Sequence, residues 1–193
     1  MLKLNQSLVF VMNMNEWIDV SPILADLVEI LRQFTNDDIN PNLKSIQIPN
    51  GSYNNRNSFE LIKLNTIESM EIGDDCFLKV NTFRIDGLNH LKSLKIGIKS
   101  FTQQKDNWDT INYDPSRSLS ILNCIELKSI EIGEYSFSDY AGLFELKNLP
   151  KLSTIKIGEI GRDSLNFWDS SFEIKGIIDM ILLMNRSSTF EFD

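Results

Sequence analysis

Apolar and polar residues alternate in short bursts along this chain, and the bursts recur. Five copies share the order apolar-x-Ser/Thr-apolar-x-Ile, then Gly or Pro, and in four of them an aromatic follows: NLKSIQIPNGSY (Asn42–Tyr53), TIESMEIGDDCF (Thr66–Phe77), LKSLKIGIKSF (Leu91–Phe101), LKSIEIGEYSF (Leu127–Phe137) and LSTIKIGEIGR (Leu152–Arg162). Their first apolar residues are Leu43, Ile67, Leu91, Leu127 and Leu152, spaced by 24, 24, 36 and 25 residues. A period in the twenties predicts a solenoid, in which stacked copies bury a face that one copy cannot bury alone.

A weaker phrase accompanies each of these. It reads Phe59-Glu60-Leu61, Phe83-Arg84-Ile85, Leu119-Ser120-Ile121, Phe144-Glu145-Leu146 and Phe172-Glu173-Ile174, and in four cases it stands 8 residues before the next main phrase. In-out alternation over such short runs has the period of a strand. Each coil is therefore expected to carry two short parallel strands joined by corners, with Leu, Ile and Phe inward. Gly73, Gly97, Gly133 and Gly158 follow the last inward Ile, where a turn calls for positive φ; Pro49 stands there in the first copy. Tyr53, Phe77, Phe101 and Phe137 are expected to fold beneath the coil as core wedges.

Stacking in register turns the outward positions into ladders. Gln47, Glu71, Lys95, Glu131 and Lys156 form one row, and Ser45, Ser69, Ser93, Ser129 and Thr154 form another. Glu71 then lies beside Lys95, Lys95 beside Glu131, and Glu131 beside Lys156, each pair contributing a few tenths of a kcal/mol. The same face is a candidate binding surface. The long third coil holds a polar insertion, Thr102–Ser118, whose Trp108 and Tyr113 are candidate contact anchors.

The ends differ from the middle. Ser7–Met12 reads as a strand, a degenerate copy of the main one. Ser21-Pro22 before ILADLVEILRQF predicts a helix over residues 21–34 that caps the first coil, with Ser as N-cap and Pro at the first helical position. At the far end Gly176–Asn185 is apolar enough for a buried helical turn, and Arg186–Asp193 aligns with the main phrase. The expected layout is one structural domain: residues 1–41 as strand and capping helix, 42–175 as repeats, and 176–193 as a C-terminal cap or a truncated repeat.

Composition narrows the function classes. The formal net charge of -8 disfavours a nucleic-acid surface and an anionic membrane surface. Residues 1–42 hold six acids against Lys3 and Arg32, so −4 of that charge lies in the first fifth. The LVFVM run is too short to span a membrane, no small-residue cleavage site follows it, and a cytoplasmic protein is expected. Cys76 and Cys124 read as buried thiols, aligned with Ser100 or Ser136 and with Lys147 respectively. One histidine, His90, stands in a turn, and no metal-ligand spacing, phosphate loop or nucleophile–base pairing accompanies it. No cofactor, metal or catalytic residue is expected, and the chain is read as no enzyme.

The phrase Leu127-x-x-Ile130-x-Ile132, with Gly133 and Ser136-Phe137 after it, resembles the leucine-rich repeats of the BspA-like group of microbial and protist proteins. The resemblance runs from Asn42 to about Ile174. It implies a mostly-β leucine-rich-repeat solenoid that binds proteins, sometimes as a surface adhesin, with no catalytic residues to carry over. The expected function is a protein-binding scaffold using the sheet face and the Thr102–Ser118 loop. The alternative is a cell-surface adhesin or glycan-binding module, part of a chain with further repeats.

Overall fold

A computed structural model of the chain describes residues 10–13, 16–19, 43–103, 113–159, 165–167, 170–177 and 181–184. Among them are thirteen strands and no helix: β1 (Phe10–Asn13), β2 (Glu16–Asp19), β3 (Leu43–Ile48), β4 (Ser58–Ile62), β5 (Ser69–Ile72), β6 (Thr82–Asp86), β7 (Ser93–Ile96), β8 (Ser118–Leu122), β9 (Ser129–Ile132), β10 (Leu143–Lys147), β11 (Thr154–Ile157), β12 (Ser171–Lys175) and β13 (Ile181–Met184). The main phrases form one side of a solenoid, an eight-stranded sheet ordered β13-β11-β9-β7-β5-β3-β1-β2. The weaker phrases form the other, ordered β12-β10-β8-β6-β4. Each coil donates one parallel strand to each sheet, and the core lies between the two.

Register follows the sequence repeat. Ile72 pairs with Ile96, Ile96 with Ile132, and Ile132 with Ile157. Across the core Phe59 pairs with Phe83, and Phe83 with Leu119. A slip of one residue would expose every inward side chain, so the alternation itself holds the register. The inward residues Ile67, Leu91, Leu127 and Leu152 are fully buried.

The wedge aromatics do more than fill space. Tyr53, Phe77, Phe101, Phe137 and Phe167 form one continuous stack, with successive centroids 5.2, 5.0, 4.8 and 5.0 Å apart. Phe59 and Phe83, themselves stacked at 4.9 Å, meet this column edge-on. Each aromatic pair adds about 0.5–1.5 kcal/mol beyond the area it buries. All five stacked residues have left-handed backbone, φ 57, 55, 57, 58 and 50° in chain order. The same tight turn is therefore cut five times. Phe167 enters the stack although the last main phrase lacks an aromatic at the usual distance.

The corner glycines act otherwise than their sequence context implies. Of the four, only Gly158 has positive φ. At Gly97 a Cβ would lie 2.6 Å from the carbonyl carbon of Gly73, and at Gly133 2.6 Å from that of Gly97. These glycines are needed because successive corners press backbone on backbone. Positive φ falls two and four residues later at the same corner, at Asp75 and Phe77, Lys99 and Phe101, Tyr135 and Phe137, and again at the opposite corner, at Lys63, Gly87, Asn123, Asn148 and Gly176.

The two corners also differ in length. From the weaker phrase to the next main one the distance is constant, Phe59 to Ile67 and Leu119 to Leu127 alike. From the stacked aromatic to the weaker phrase it varies: Phe77 to Phe83, but Phe101 to Leu119.

The ends bring corrections. β1 pairs antiparallel with β3 and with β2, so it is the inner arm of a hairpin whose other arm, β2, is the sheet edge, and no copy of a parallel coil. The apolar stretch expected as a helical turn carries β13, which pairs in parallel with β11 because Ile181–Met184 continues the main-phrase side of the stack. The capping helix expected over residues 21–34, and the phrase at 186–193, lie outside the described residues. Cys124 is level with Leu149, two residues beyond Lys147, as the pairing of Leu122 with Lys147 requires.

Candidate functional site

The outer face of the eight-stranded sheet places three rows side by side. The hydroxyl row runs Ser45, Ser69, Ser93, Ser129 and Thr154 in unbroken register. Along one flank runs Gln47, Glu71, Lys95, Glu131 and Lys156, in the same register. Along the leading edge, one residue before the hydroxyls, stand Lys44, Glu68, Lys92, Lys128 and Ser153. The small serines leave a shallow trough between β3 and β9, bordered by Glu71, Lys95 and Glu131.

The rows are neutralised unevenly. Glu68 sits between two cations, 2.9 Å from Lys44 and 2.5 Å from Lys92. Hydrogen bonds from Lys92 and then Lys44 hold its carboxyl down at about 2. Glu71 takes Lys95 at 2.7 Å, and that bond raises the Lys95 ammonium. Gln47 reaches Glu71 from the other side, and Ser45 shares a 2.5 Å hydrogen bond with Ser69. Towards the C-terminal coils the pairing stops. Among the described residues Lys128, Glu131 and Lys156 make no ion pair, and Ser93, Ser129 and Thr154 make no side-chain hydrogen bond. Lys95 lies between two acids and closes on Glu71, which leaves Glu131 open. Beyond Lys156 the next register position is Leu183, so no acid follows it.

The ladder positions Glu71, Lys95, Glu131 and Lys156 are therefore brought together on one face, but only the first two are bonded. The loop candidates lie elsewhere. The insertion leaves from the aromatic corner rather than the sheet face, Trp108 falls outside the described residues, and Tyr113 is half-buried at the insertion's far end. The insertion also ends earlier than expected, since Ser118 already belongs to β8.

Sequence reasoning missed what fastens that insertion. Arg117 is 1% exposed. Its guanidinium forms an ion pair with the buried Asp139 and donates to the carbonyls of Val80 at 2.7 Å, Leu78 at 3.0 Å and Phe101 at 3.3 Å. It lies over the Tyr140 ring, 4.7 Å from the centroid, and the Tyr140 hydroxyl donates to the same Val80 carbonyl at 2.6 Å. Burial pushes the Asp139 carboxyl up, and the Arg117 charge offsets only part of that. Near the insertion's other end Thr102 shares a hydrogen bond with Ser138 at 2.8 Å, and the Gln103 amide donates to Asp139 at 3.0 Å. Both ends thus converge on one segment, Ser138–Tyr140. An arginine in a polar stretch carries no sequence signal for burial, so nothing distinguished Arg117 beforehand.

Both cysteines are free and buried, and burial pushes each thiol up to about 11, which suppresses the reactive thiolate. His90 is exposed. Among the described residues no group of three His, Cys, Asp or Glu could hold a metal ion, and no helix is long and apolar enough to cross a membrane. Comparison with known proteins finds no matching family model, no matching curated protein and no matching solved structure.

Proposed function

We propose that this chain is a non-enzymatic protein-binding scaffold of leucine-rich-repeat type, resembling the BspA-like group, that binds through its eight-stranded sheet face and the Thr102–Ser118 insertion. One observation carries the reading: the charged rows are saturated over the first coils and left open over Lys128, Glu131 and Lys156. A row that served only to set register has no use for that break, whereas polar groups without partners give a docking surface its specificity. The insertion supports the same reading, because its ends are fastened by a buried ion pair. An anchored loop loses less conformational freedom when it meets a partner.

The test is a random-peptide display selection against the folded full chain. Enriched peptides should lose binding when the sheet face is altered at Glu131 and Lys156, or when Trp108→Ala and Tyr113→Ala are combined. Failure to enrich any peptide sequence over an unrelated control would overturn the reading. The free hydroxyls of Ser93, Ser129 and Thr154 keep a glycan-binding adhesin as the second reading, and a glycan array with the same variants separates the two.

A further inference from the structure

The open end of the sheet face has a definite chemistry. Lys128 stands on its leading edge and Lys156 on the opposite flank, one coil further along. Between them lie Ser129 and Thr154, register partners on adjacent strands. Adjacent strands are about 4.8 Å apart, so these two hydroxyls are spaced for two oxygens of a single carboxylate. Neither hydroxyl has a side-chain partner among the described residues, and neither ammonium closes an ion pair there. Glu131, set beside Lys156 in the register, is the one acid at the patch without a lysine bonded to it, since Glu126, near enough to Lys128 to feel its charge, is held by Lys151 at 2.6 Å. It leaves a local excess of one positive charge on a chain whose formal net charge is -8.

We propose that this patch docks an acidic segment of a partner protein, seating an Asp or Glu carboxylate over Ser129 and Thr154 between Lys128 and Lys156. The proposal rests on the protein-binding reading above and names its chemistry. The alternating pairs at the other end of the face explain why the site is confined here. Lys44 and Lys92 are already committed to Glu68, and Lys95 to Glu71, so an incoming acid would have to displace an existing bond. At Lys128 and Lys156 it breaks no ion pair among the described residues. Glu131 sets direction as well, because it repels a second acid on its side and favours a base there.

Fluorescence anisotropy with three labelled peptides of equal length, a Glu-Ser repeat, a Lys-Ser repeat and a Gln-Ser repeat, tests this on the full chain at physiological ionic strength. The Glu-Ser peptide should bind wild type in preference to the other two. Its affinity should fall by about tenfold in Lys128→Glu/Lys156→Glu, while the Lys-Ser peptide gains. Lys79→Glu/Lys147→Glu makes the same change in net charge at exposed lysines elsewhere and should leave Glu-Ser binding within about twofold. Equal losses in both double variants, no preference for the acidic peptide, or no binding at all would overturn the proposal. If display-selected peptides bind wild type yet ignore Lys128→Glu/Lys156→Glu, the acidic site falls and protein binding stands. If none are selected, both fall.

Discussion

Replacing Arg117 by Met tests how much of the fold hangs on one buried charge. Methionine keeps most of the side-chain length but removes the guanidinium. The Asp139 carboxylate, 5% exposed, is then left with the Gln103 amide at 3.0 Å and the Thr102 hydroxyl, and no countercharge. The Leu78 and Phe101 carbonyls lose the bonds that Arg117 donates, while the Val80 carbonyl keeps the Tyr140 hydroxyl. Stranding one member of a buried pair costs about 3–5 kcal/mol. With a urea dependence of about 2 kcal/mol per molar, the midpoint should fall by roughly 1.5–2.5 M. The pH dependence is diagnostic. Burial already raises Asp139, and without Arg117 it rises further. A carboxyl whose folded pKa lies above its unfolded value favours folding at low pH and disfavours it as pH rises through the folded value. The deficit of the variant should therefore be largest at neutral pH and shrink towards pH 4. Arg117→Met combined with Asp139→Leu strands no charge and should recover at least about 2 kcal/mol of the loss. A loss under about 1 kcal/mol, a deficit indifferent to pH, or a double variant no better than Arg117→Met would refute this account.

Three further predictions address the coil itself. Gly133→Ala forces a Cβ to within 2.6 Å of the Gly97 backbone and should cost about 1–3 kcal/mol by chemical denaturation, and a neutral result would show that the corners are not in contact. Lys63→Gly should raise stability by about 0.5–1 kcal/mol, since exposed Lys63 holds φ at 58° where the matching corners use Gly87 and Gly176; a lower melting temperature would contradict the turn geometry. Glu68, held at about 2 by Lys92 and Lys44, contributes stability that is present above the ordinary carboxylate range and lost as pH falls from about 4.5 towards 2. Glu68→Gln should therefore flatten the acid limb of the melting-temperature profile, and superimposable profiles for the two proteins would dismiss the bond.

What the sequence disclosed and what it hid divide along a physical line. Positions repeated in every coil, such as Ile72, Ile96 and Ile132, report burial directly, because the same environment selects the same side chain each time. The ten strands of the repeats, β3 to β12, their parallel pairing and the outward rows therefore followed from spacing alone, whereas β2, β13 and the antiparallel pairing of β1 did not. Single-use contacts left no such trace. Arg117 meets Asp139 from 22 residues away and Val80 from 37, and neither partner repeats in other coils. The corner glycines were visible, but their cause was not, since close approach between coils and positive φ select the same residue. Phe167 was hidden by extra residues between β11 and the aromatic corner. For the candidate site, register placed Glu131 beside Lys156. Which lysine closes on which acid depends on how neighbours share charges, and no pairwise spacing contains that.

The unequal corners have a consequence for how such a chain can change over generations. One corner measures the coil, since its 8-residue passage from Phe59 to Ile67 recurs at 83 to 91, 119 to 127 and 144 to 152. The other tolerates any length that returns to the next strand, as the passage from Phe101 to Leu119 does with the aromatic column intact on either side. Inherited additions and deletions should therefore collect along a single rim, while the ruler opposite stays fixed. A dozen foreign residues spliced beyond Tyr140 and before Phe144, clear of the Asp139 anchor, should emerge beside the natural insertion and leave the stack below undisturbed.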